Sequence, residues 1–275
     1  MNEYKFTANL SDGQSDYGKY TQYVNLHELY NKQKEIEGIQ LGLTNDKEND
    51  FTIVPGINVI AGMTGHGKSM LGNSLAYKAV KDGLNVVYIT LEVSKENMFY
   101  QMISIKSFLD NAYEGEWISH STIKKRELTP EQETKVFDEI WPSFKEMKGN
   151  LHILTEWDFD TGSTASLQSK LMEVEDYSKK QTGKGIDFII VDYIQLFKEY
   201  KEAGGYGEYS TLTQWVNDFR KMSLNYLGEG REIPIVLLAQ LNRDAWNADR
   251  EKQKREERNE SIIKYNLSFN HNYDL

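Results

Sequence analysis

The sequence predicts a doubly wound α/β fold, in which helices cover both faces of a mostly parallel sheet. Three observations support this class. From residue 51 onward, apolar runs of strand length alternate with amphipathic helical patterns. A phosphate-binding motif joins the first long strand to the first long helix, and three later strands lead into polar residues. Because such folds bind ligands at the carboxyl ends of their strands, we expect the functional site at that edge of the sheet.

Five segments have the length and composition of β-strands. They are rich in valine and isoleucine and are bounded by polar or glycine-containing stretches. Because they are apolar on both faces, we expect central parallel strands that are covered by helices. The predicted strands are Ile57–Ala61, Asn85–Leu91, Asn150–Leu154, Asp187–Asp192 and Ile233–Gln240.

The segments between these strands carry helix signals. Lys68–Lys81 and Ser94–Leu109 are predicted helices, and Thr129–Gln132 (TPEQ) is a capping box with proline at the first helical position. Two sets of apolar residues at helical spacing are expected to face the core. These sets are Val136, Phe137, Ile140, Trp141 and Phe144, and Leu212, Trp215, Phe219, Met222 and Tyr226.

The pattern indicates one globular domain at residues 51–245. Residues 1–50 are polar and rich in tyrosine, asparagine and glutamine, so we assign them to an N-terminal arm or linker. Within them His27–Glu37 has the pattern of a short helix. Both a flexible linker and an arm that docks on a neighbouring subunit fit this composition. Residues 246–275 form a charged C-terminal segment.

Composition restricts the class of protein. The 275 residues include 39% hydrophobic and 27% charged residues, which suits a globular protein with a sizeable core. The absence of cysteine excludes disulfides and thiolate metal sites. No apolar run approaches the ~18 residues of a membrane span, so we expect a cytoplasmic protein. The net charge of −10 argues against a surface that coats nucleic acid, but it leaves basic loops open.

The stretch Gly62–Ser69 (GMTGHGKS) matches the phosphate-binding pattern GxxxxGK(S/T) at every fixed position. Its glycines allow backbone N–H groups to surround phosphates, and the following helix N-terminus adds positive potential. In this pattern Lys68 contacts the β- and γ-phosphates, and Ser69 is a ligand of Mg²⁺. We therefore predict a nucleoside triphosphate site whose phosphate contacts come from consecutive residues: Gly62, Met63, Thr64, Gly65, His66, Gly67, Lys68, Ser69 and Met70.

Three further strands lead into polar side chains. Asp192 ends an apolar strand and suits the Walker B role of holding Mg²⁺. Glu92 follows its strand and is either a general base for the attacking water or an acid that favours the next helix N-terminus. Gln240 is either a γ-phosphate contact or an amide that satisfies loop backbone. Position alone leaves both alternatives open for Glu92 and Gln240.

Four ordered motifs together resemble the DnaB family of replicative hexameric helicases, and also the phage primase–helicases. They are GMTGHGKS, YITLEVSKE, FIIVDYIQLF and IVLLAQLNR, and the resemblance covers about residues 38–245. It implies a RecA-like ATPase core that uses ATP and Mg²⁺. It also implies that Lys68 contacts phosphate, that Glu92 is the catalytic base, that Asp192 is the Walker B acid, and that Gln240 senses the γ-phosphate.

The same resemblance implies partners. They are single-stranded DNA, further copies of the chain in a ring that is expected to be a hexamer, and primase or other replication proteins in a bacterial or phage-infected cell. Helicases of this kind place DNA-binding loops after the Walker B and sensor strands, which suggests Lys198, Lys201, Tyr206 and Arg243 as contacts. A mobile glycine- and tyrosine-rich loop, and a solvated helix with mixed charges, are the alternatives for these segments.

Two other functions remain as alternatives at this stage. A nucleotide-switched regulator or loader would bind ATP through the same residues and recruit a protein without unwinding DNA. A GTPase switch is disfavoured because no base-reading NKxD follows a late strand. The family pattern also includes an arginine finger beyond the sensor strand, and we do not recognise one before Leu275. Without such a finger we expect slow hydrolysis.

Overall fold

The computed structural model describes residues 5–6, 22–23, 38–40, 52–110, 117–197 and 208–241. Four short strands form two antiparallel pairs: β1 (Lys5–Phe6) with β2 (Gln22–Tyr23), and β3 (Ile39–Gln40) with β4 (Thr52–Ile53). Five longer strands form one sheet: β5 (Gly56–Gly62), β6 (Val86–Thr90), β7 (Leu151–Leu154), β8 (Phe188–Asp192) and β9 (Pro234–Gln240).

The five-stranded sheet is parallel throughout, and its spatial order is β5-β9-β8-β6-β7. The five predicted strands are confirmed to within one residue at each end. The expectation that all five are central is wrong, because β5 and β7 lie at the two edges of the described sheet. Val59 on β5 is accordingly 58% exposed. An apolar run reveals a strand, but it does not reveal which neighbours the strand has.

Helices connect the strands. The longer ones are α1 (Lys68–Lys81), α2 (Lys95–Asp110), α6 (Thr164–Thr182) and α7 (Glu208–Leu224). Between α2 and β7 lie α3 (His120–Lys125), α4 (Pro130–Thr134), a π-helical turn (Lys135–Ile140), α5 (Trp141–Ser143) and a 3₁₀ turn (Phe144–Glu146). A second 3₁₀ turn, Ile194–Leu196, follows β8. The predicted capping box is confirmed, since Thr129 and Gln132 exchange hydrogen bonds at the start of α4.

The sheet separates two apolar cores. Alternate residues of β8 point to opposite faces, so Phe188 and Ile190 pack under α1 and α2, whereas Ile189 and Val191 pack under α6 and α7. Every residue of β6 and β8 is buried, which marks them as the centre of the fold. This arrangement confirms the doubly wound α/β class, with helices on both faces of a parallel sheet.

The two predicted apolar helix faces have different outcomes. Four of the five residues on α7 and its C-terminal extension are buried, in agreement with the prediction: Trp215, Phe219, Met222 and Tyr226. The face around Val136 is only partly buried, because Phe137 is 59% and Trp141 45% exposed. Val136 and Ile140, four residues apart, lie on the buried side, whereas Phe137 and Trp141, one residue further on in each case, point outward.

The described part of the chain contains no helix that is both long and apolar enough to cross a membrane. The arm or linker at 1–50 and the charged segment at 246–275 lie largely outside the described residues. Of the arm, Ile39 packs against the core on the α1 side of the sheet.

Candidate nucleotide site

The phosphate loop leaves β5 and enters α1 as the sequence predicts. Gly65 and Gly67 have φ of 79° and 78°, a conformation that favours glycine, and Gly67 is the residue before the first turn of α1. Apart from each glycine and the chain next to it, no heavy atom lies within 4 Å of where a Cβ would stand on either residue. The loop therefore presents exposed backbone at a helix N-terminus, which is the arrangement that binds phosphate groups.

Lys68 folds back over this loop. Its Nζ donates to the carbonyl oxygen of Met63 at 2.9 Å, and the N–H of His66 donates to the same carbonyl at 3.2 Å. The ammonium group therefore lies against the loop backbone, and Lys68 lines the cleft beside it. A triphosphate entering the loop would meet this positive charge.

Asp192 is the last residue of β8 and is 1% exposed. Its Oδ2 accepts a hydrogen bond of 3.0 Å from the Tyr88 hydroxyl, while its buried Oδ1 has no hydrogen-bond partner among the described residues. Burial raises the pKa of the Asp192 carboxyl above its usual value, although the Ser69 and Tyr88 hydroxyls and the Lys68 charge oppose the shift. An unpaired carboxylate oxygen next to Ser69 and Lys68 fits a bound cation.

Glu92 lies two residues beyond β6, on an exposed turn that leads into α2. Thr90 brackets this turn: its buried hydroxyl donates to the carbonyl oxygen of Val93 and accepts from the Val93 N–H, each at 3.1 Å. The N–H of Leu91 also donates to the carbonyl oxygen of Asp192 at 3.1 Å. The turn that carries Glu92 is therefore fixed to the end of β8.

We expect Thr90→Val to lower the free energy of unfolding by about 1–3 kcal/mol, because it leaves two partly buried backbone groups of Val93 unpaired. Thr90→Ser keeps the hydroxyl and is the matched control, expected to remain close to the wild type. Urea unfolding followed by circular dichroism measures both. Equal midpoints for the valine and serine variants would contradict the assignment of these two hydrogen bonds.

Gln240 ends β9 beside the phosphate loop. Its Nε2 donates to the Thr64 hydroxyl at 2.8 Å, and β9 pairs with β5 so that Gln240 lies opposite Gly62. The main chain of Gln240 is held by Gln195, whose side-chain amide donates to its carbonyl oxygen at 3.0 Å and accepts from its N–H at 3.3 Å. Gln195 thus joins the turn after β8 to the end of β9.

These strand ends surround one cleft of about 290 Å³. It is lined by residues from the phosphate loop and from the ends of β6, β8 and β9: Thr64, Gly65, Gly67, Lys68, Ser69, Met70, Glu92, Asp192, Tyr193 and Gln240. The structure therefore brings Glu92, Asp192 and Gln240 to the phosphate loop. The proposed DNA contacts Lys198, Lys201, Tyr206 and Arg243 lie outside the described residues.

Sequence reasoning missed Tyr88, Thr90 and Gln195, whose hydrogen bonds hold the edges of this cleft, and Tyr193, which lines it. For the first two a signal was present. Both carry hydroxyl groups inside the otherwise apolar run NVVYITL, and a buried hydroxyl needs a partner. Gln195 gave no such signal, because it lies in an exposed turn where polar residues are usual.

Solved structures with this fold were found by comparison. A structure of a DnaB-like replicative helicase and its interactions with primase has a TM-score of 0.52 at 16% identity, covering 70% of this chain and 40% of that one. A second structure, of an ATPase domain, has a TM-score of 0.59 at 18% identity, covering 81% of this chain and 72% of that one. This chain thus spans well under two thirds of the first protein. Among curated proteins there is no significant match.

The strand order, together with a phosphate loop between the first strand of the sheet and α1, defines a RecA-like P-loop domain of the kind found in DnaB-type helicases. A model of the DnaB-like helicase C-terminal domain matches residues 52–259, well over half of the chain. The chain belongs to this family.

Proposed function

We propose that this chain binds and hydrolyses ATP with Mg²⁺, and that it uses this cycle to translocate on single-stranded DNA as a ring. The observation that carries the proposal is the shared cleft, in which the phosphate loop faces Glu92, Asp192 and Gln240. Membership of the DnaB-like helicase C-terminal domain family supports the choice of a helicase motor over other P-loop enzymes. A hexamer is the proposed assembly, and primase or another replication protein is a proposed partner.

In this proposal each residue acts on a different part of the triphosphate. The loop N–H groups and Lys68 hold the β- and γ-phosphates, as their positions at the N-terminus of α1 favour. Ser69 and the unpaired Asp192 Oδ1 are suited to Mg²⁺, which would neutralise charge that develops on the phosphate oxygens. Glu92 accepts the proton of the attacking water, and its exposed turn leaves room for that water.

Gln240 is proposed to report the state of the γ-phosphate to the segment after β9. Its amide donates to Thr64 in the phosphate loop, within the cleft where the γ-phosphate would compete for the same donor. Gln195 and Gln240 are hydrogen-bonded to each other, and in the sequence they stand just before the two segments suggested as DNA contacts. This adjacency supports a common role for them in binding DNA.

The direct test is ATP hydrolysis by the full chain at low salt, with and without single-stranded DNA. We expect single-stranded DNA to stimulate hydrolysis, and mass photometry with a non-hydrolysable ATP analogue to show a ring. Hydrolysis that single-stranded DNA does not affect, together with a stable monomer or dimer in the presence of the analogue, would favour a nucleotide-switched regulator or loader instead.

The proposed DNA contacts give a second test. We expect the double variant Lys198→Ala/Lys201→Ala to bind single-stranded DNA more weakly, because two cations that neutralise phosphates are lost. The slope of log K against log salt should fall by about 0.7 for each lost contact. Fluorescence anisotropy with a labelled oligonucleotide between low and moderate salt measures both quantities.

A matched control for this test is Lys124→Ala/Lys125→Ala, a pair at the end of the short helix α3. It removes the same charge from the chain at a position away from β8 and β9. Two results would contradict the assignment of Lys198 and Lys201 to the DNA site. One is an unchanged salt slope of DNA binding in the Lys198→Ala/Lys201→Ala variant, and the other is an equal loss of DNA affinity in both double variants.

A further inference from the structure

The side chain of Tyr88 connects the core of the sheet with the cleft. Tyr88 is the central residue of β6, is 0% exposed, and lies on the face that packs under α1. A tyrosine at such a position buries a polar group that phenylalanine would not carry, so its hydroxyl needs a partner. That partner is Oδ2 of Asp192, at 3.0 Å.

The space for this hydroxyl comes from a glycine in α1. A Cβ on Gly72 would lie 3.0 Å from the Tyr88 hydroxyl oxygen and 2.9 Å from Cδ1 of Leu238. Both distances are shorter than ordinary contacts of a real Cβ, so a larger residue would press on the Tyr88 hydroxyl and on Leu238. Gly72 costs helix stability relative to alanine, and the close approach of Tyr88 gives a reason for it.

The hydrogen bond from Tyr88 distinguishes the two oxygens of Asp192. Oδ2 is occupied by the tyrosine, and the buried Oδ1 is left without a hydrogen bond in the described part of the chain. A carboxylate that is held at one oxygen cannot rotate freely about its terminal torsion. The free oxygen is therefore presented in one direction, next to Ser69 and Lys68 in the same cleft.

We propose that Tyr88 is a positioning residue for Mg²⁺, which it serves by orienting the Asp192 carboxylate, and that Gly72 makes this possible. The inference rests on the proposed function, since it assumes that the cleft holds Mg²⁺ together with ATP. Tyr88 itself does not touch the metal or the nucleotide. Partners that orient a metal ligand typically contribute 10–100-fold to metal affinity or activity, and we expect the lower end of that range here.

The experiment compares Tyr88→Phe with Tyr226→Phe in the full chain. Tyr226 is also 0% exposed, but its hydroxyl has no hydrogen-bond partner among the described residues and lies away from the cleft. Each variant thus removes one buried hydroxyl, and only one of the two removes a bond to Asp192. Binding of a fluorescent ATP analogue is measured during a Mg²⁺ titration, and again in EDTA.

We expect Tyr88→Phe to raise the Mg²⁺ concentration at half-saturation about tenfold. Analogue binding in EDTA should stay at the wild-type level, because the loop and Lys68 are untouched. Tyr226→Phe should leave both measurements at the wild-type level. A purely structural role of the Tyr88 hydroxyl would lower thermal stability without moving the Mg²⁺ half-saturation point, and that result would overturn the proposal.

A second variant keeps the proposal testable if Tyr88→Phe does not fold. Gly72→Ala retains the tyrosine but places a methyl group against its hydroxyl. It should also raise the Mg²⁺ half-saturation point, and the double variant with Tyr88→Phe should show less than the sum of the two effects. Full additivity, or a Gly72→Ala variant that matches the wild type, would overturn the link between the two residues.

Measurements on the wild type distinguish a failure of the proposed role of Tyr88 from a failure of the proposed Mg²⁺–ATP site. If wild-type binding of the analogue depends on Mg²⁺ and the Tyr88→Phe titration superimposes on it, only the role of Tyr88 fails. If the wild type binds the analogue equally well in EDTA, or does not bind it, the proposed Mg²⁺–ATP site fails and the role of Tyr88 fails with it.

Discussion

Lys68→Ala is expected to abolish measurable ATP hydrolysis, with a loss of at least about 10²–10³-fold, the size seen when one preorganised electrostatic donor is removed. Lys68 is the one cation that the phosphate loop itself supplies, and its Nζ already lies over that loop at 2.9 Å from the Met63 carbonyl oxygen. Removing it leaves the γ-phosphate without this charge in both the bound and the transition state. Nucleotide binding should therefore weaken together with turnover.

The control for this variant is Lys78→Ala on the same helix. Lys78 is partly exposed and pairs with Asp82 at the far end of α1, so the substitution is identical in kind but remote from the cleft. We expect Lys78→Ala to hydrolyse ATP like the wild type. Both variants should unfold within about 0.5 kcal/mol of the wild type, as surface substitutions usually do. Hydrolysis that survives in a folded Lys68→Ala variant would remove the phosphate loop from the proposed mechanism.

Glu92→Gln is expected to lower kcat by about 10²–10⁴-fold while nucleotide binding changes little, since a general base acts on the attacking water and not on the bound triphosphate. The substitution keeps the size and hydrogen-bonding reach of the side chain and removes only its ability to take a proton. Thr90 and Val93 hold the surrounding turn in place, so the backbone should be unaffected. Steady-state hydrolysis and equilibrium binding of a fluorescent analogue separate the two quantities.

The alternative role for Glu92, an acid that stabilises the N-terminus of α2, makes a different prediction. In that case Glu92→Gln would cost about 0.3–1 kcal/mol of stability and leave kcat unchanged. Glu96→Gln is the matched control, because Glu96 is an exposed acid in the first turn of α2, and its pKa is lowered by hydrogen bonds from its own backbone and from Ser94. If the two variants behave alike, Glu92 is a helix-stabilising residue and not the base.

The sequence was sufficient to predict the strands and the cleft for a physical reason. Strands buried on both faces are continuous apolar runs, and parallel strands all end at one edge, so Asp192 and Gln240 had to lie near the phosphate loop. The features that could not be predicted depend on the order of the strands across the sheet and on the direction in which side chains point. Nothing in the run Ile57–Ala61 shows that β5 lies at an edge of the described sheet, with Val59 exposed.

The exposed aromatic residues also show that sequence periodicity does not predict side-chain burial. Phe137 and Trp141 have the spacing of core residues, but the buried face of that segment is narrow and holds Val136 and Ile140, and sequence periodicity does not report how wide a buried face is. Contacts between segments far apart in the sequence could not be predicted either. The pairing of Tyr88 with Asp192, and of Gln195 with Gln240, joins residues 104 and 45 positions apart.

The complete burial of β8 between β6 and β9 has a consequence for hydrogen-exchange measurements. Amides in a central strand exchange with solvent only when the whole domain opens, whereas amides of an exposed loop exchange through small local fluctuations. The phosphate loop and β8 meet in the cleft. One labelling experiment therefore measures exchange by local fluctuation at the loop and exchange by global opening at β8. Slower exchange at residues 62–69 on adding nucleotide would report occupancy of the site directly. Exchange at residues 188–192 would report the free energy of global unfolding in the same sample, which is the reference for the change at the loop.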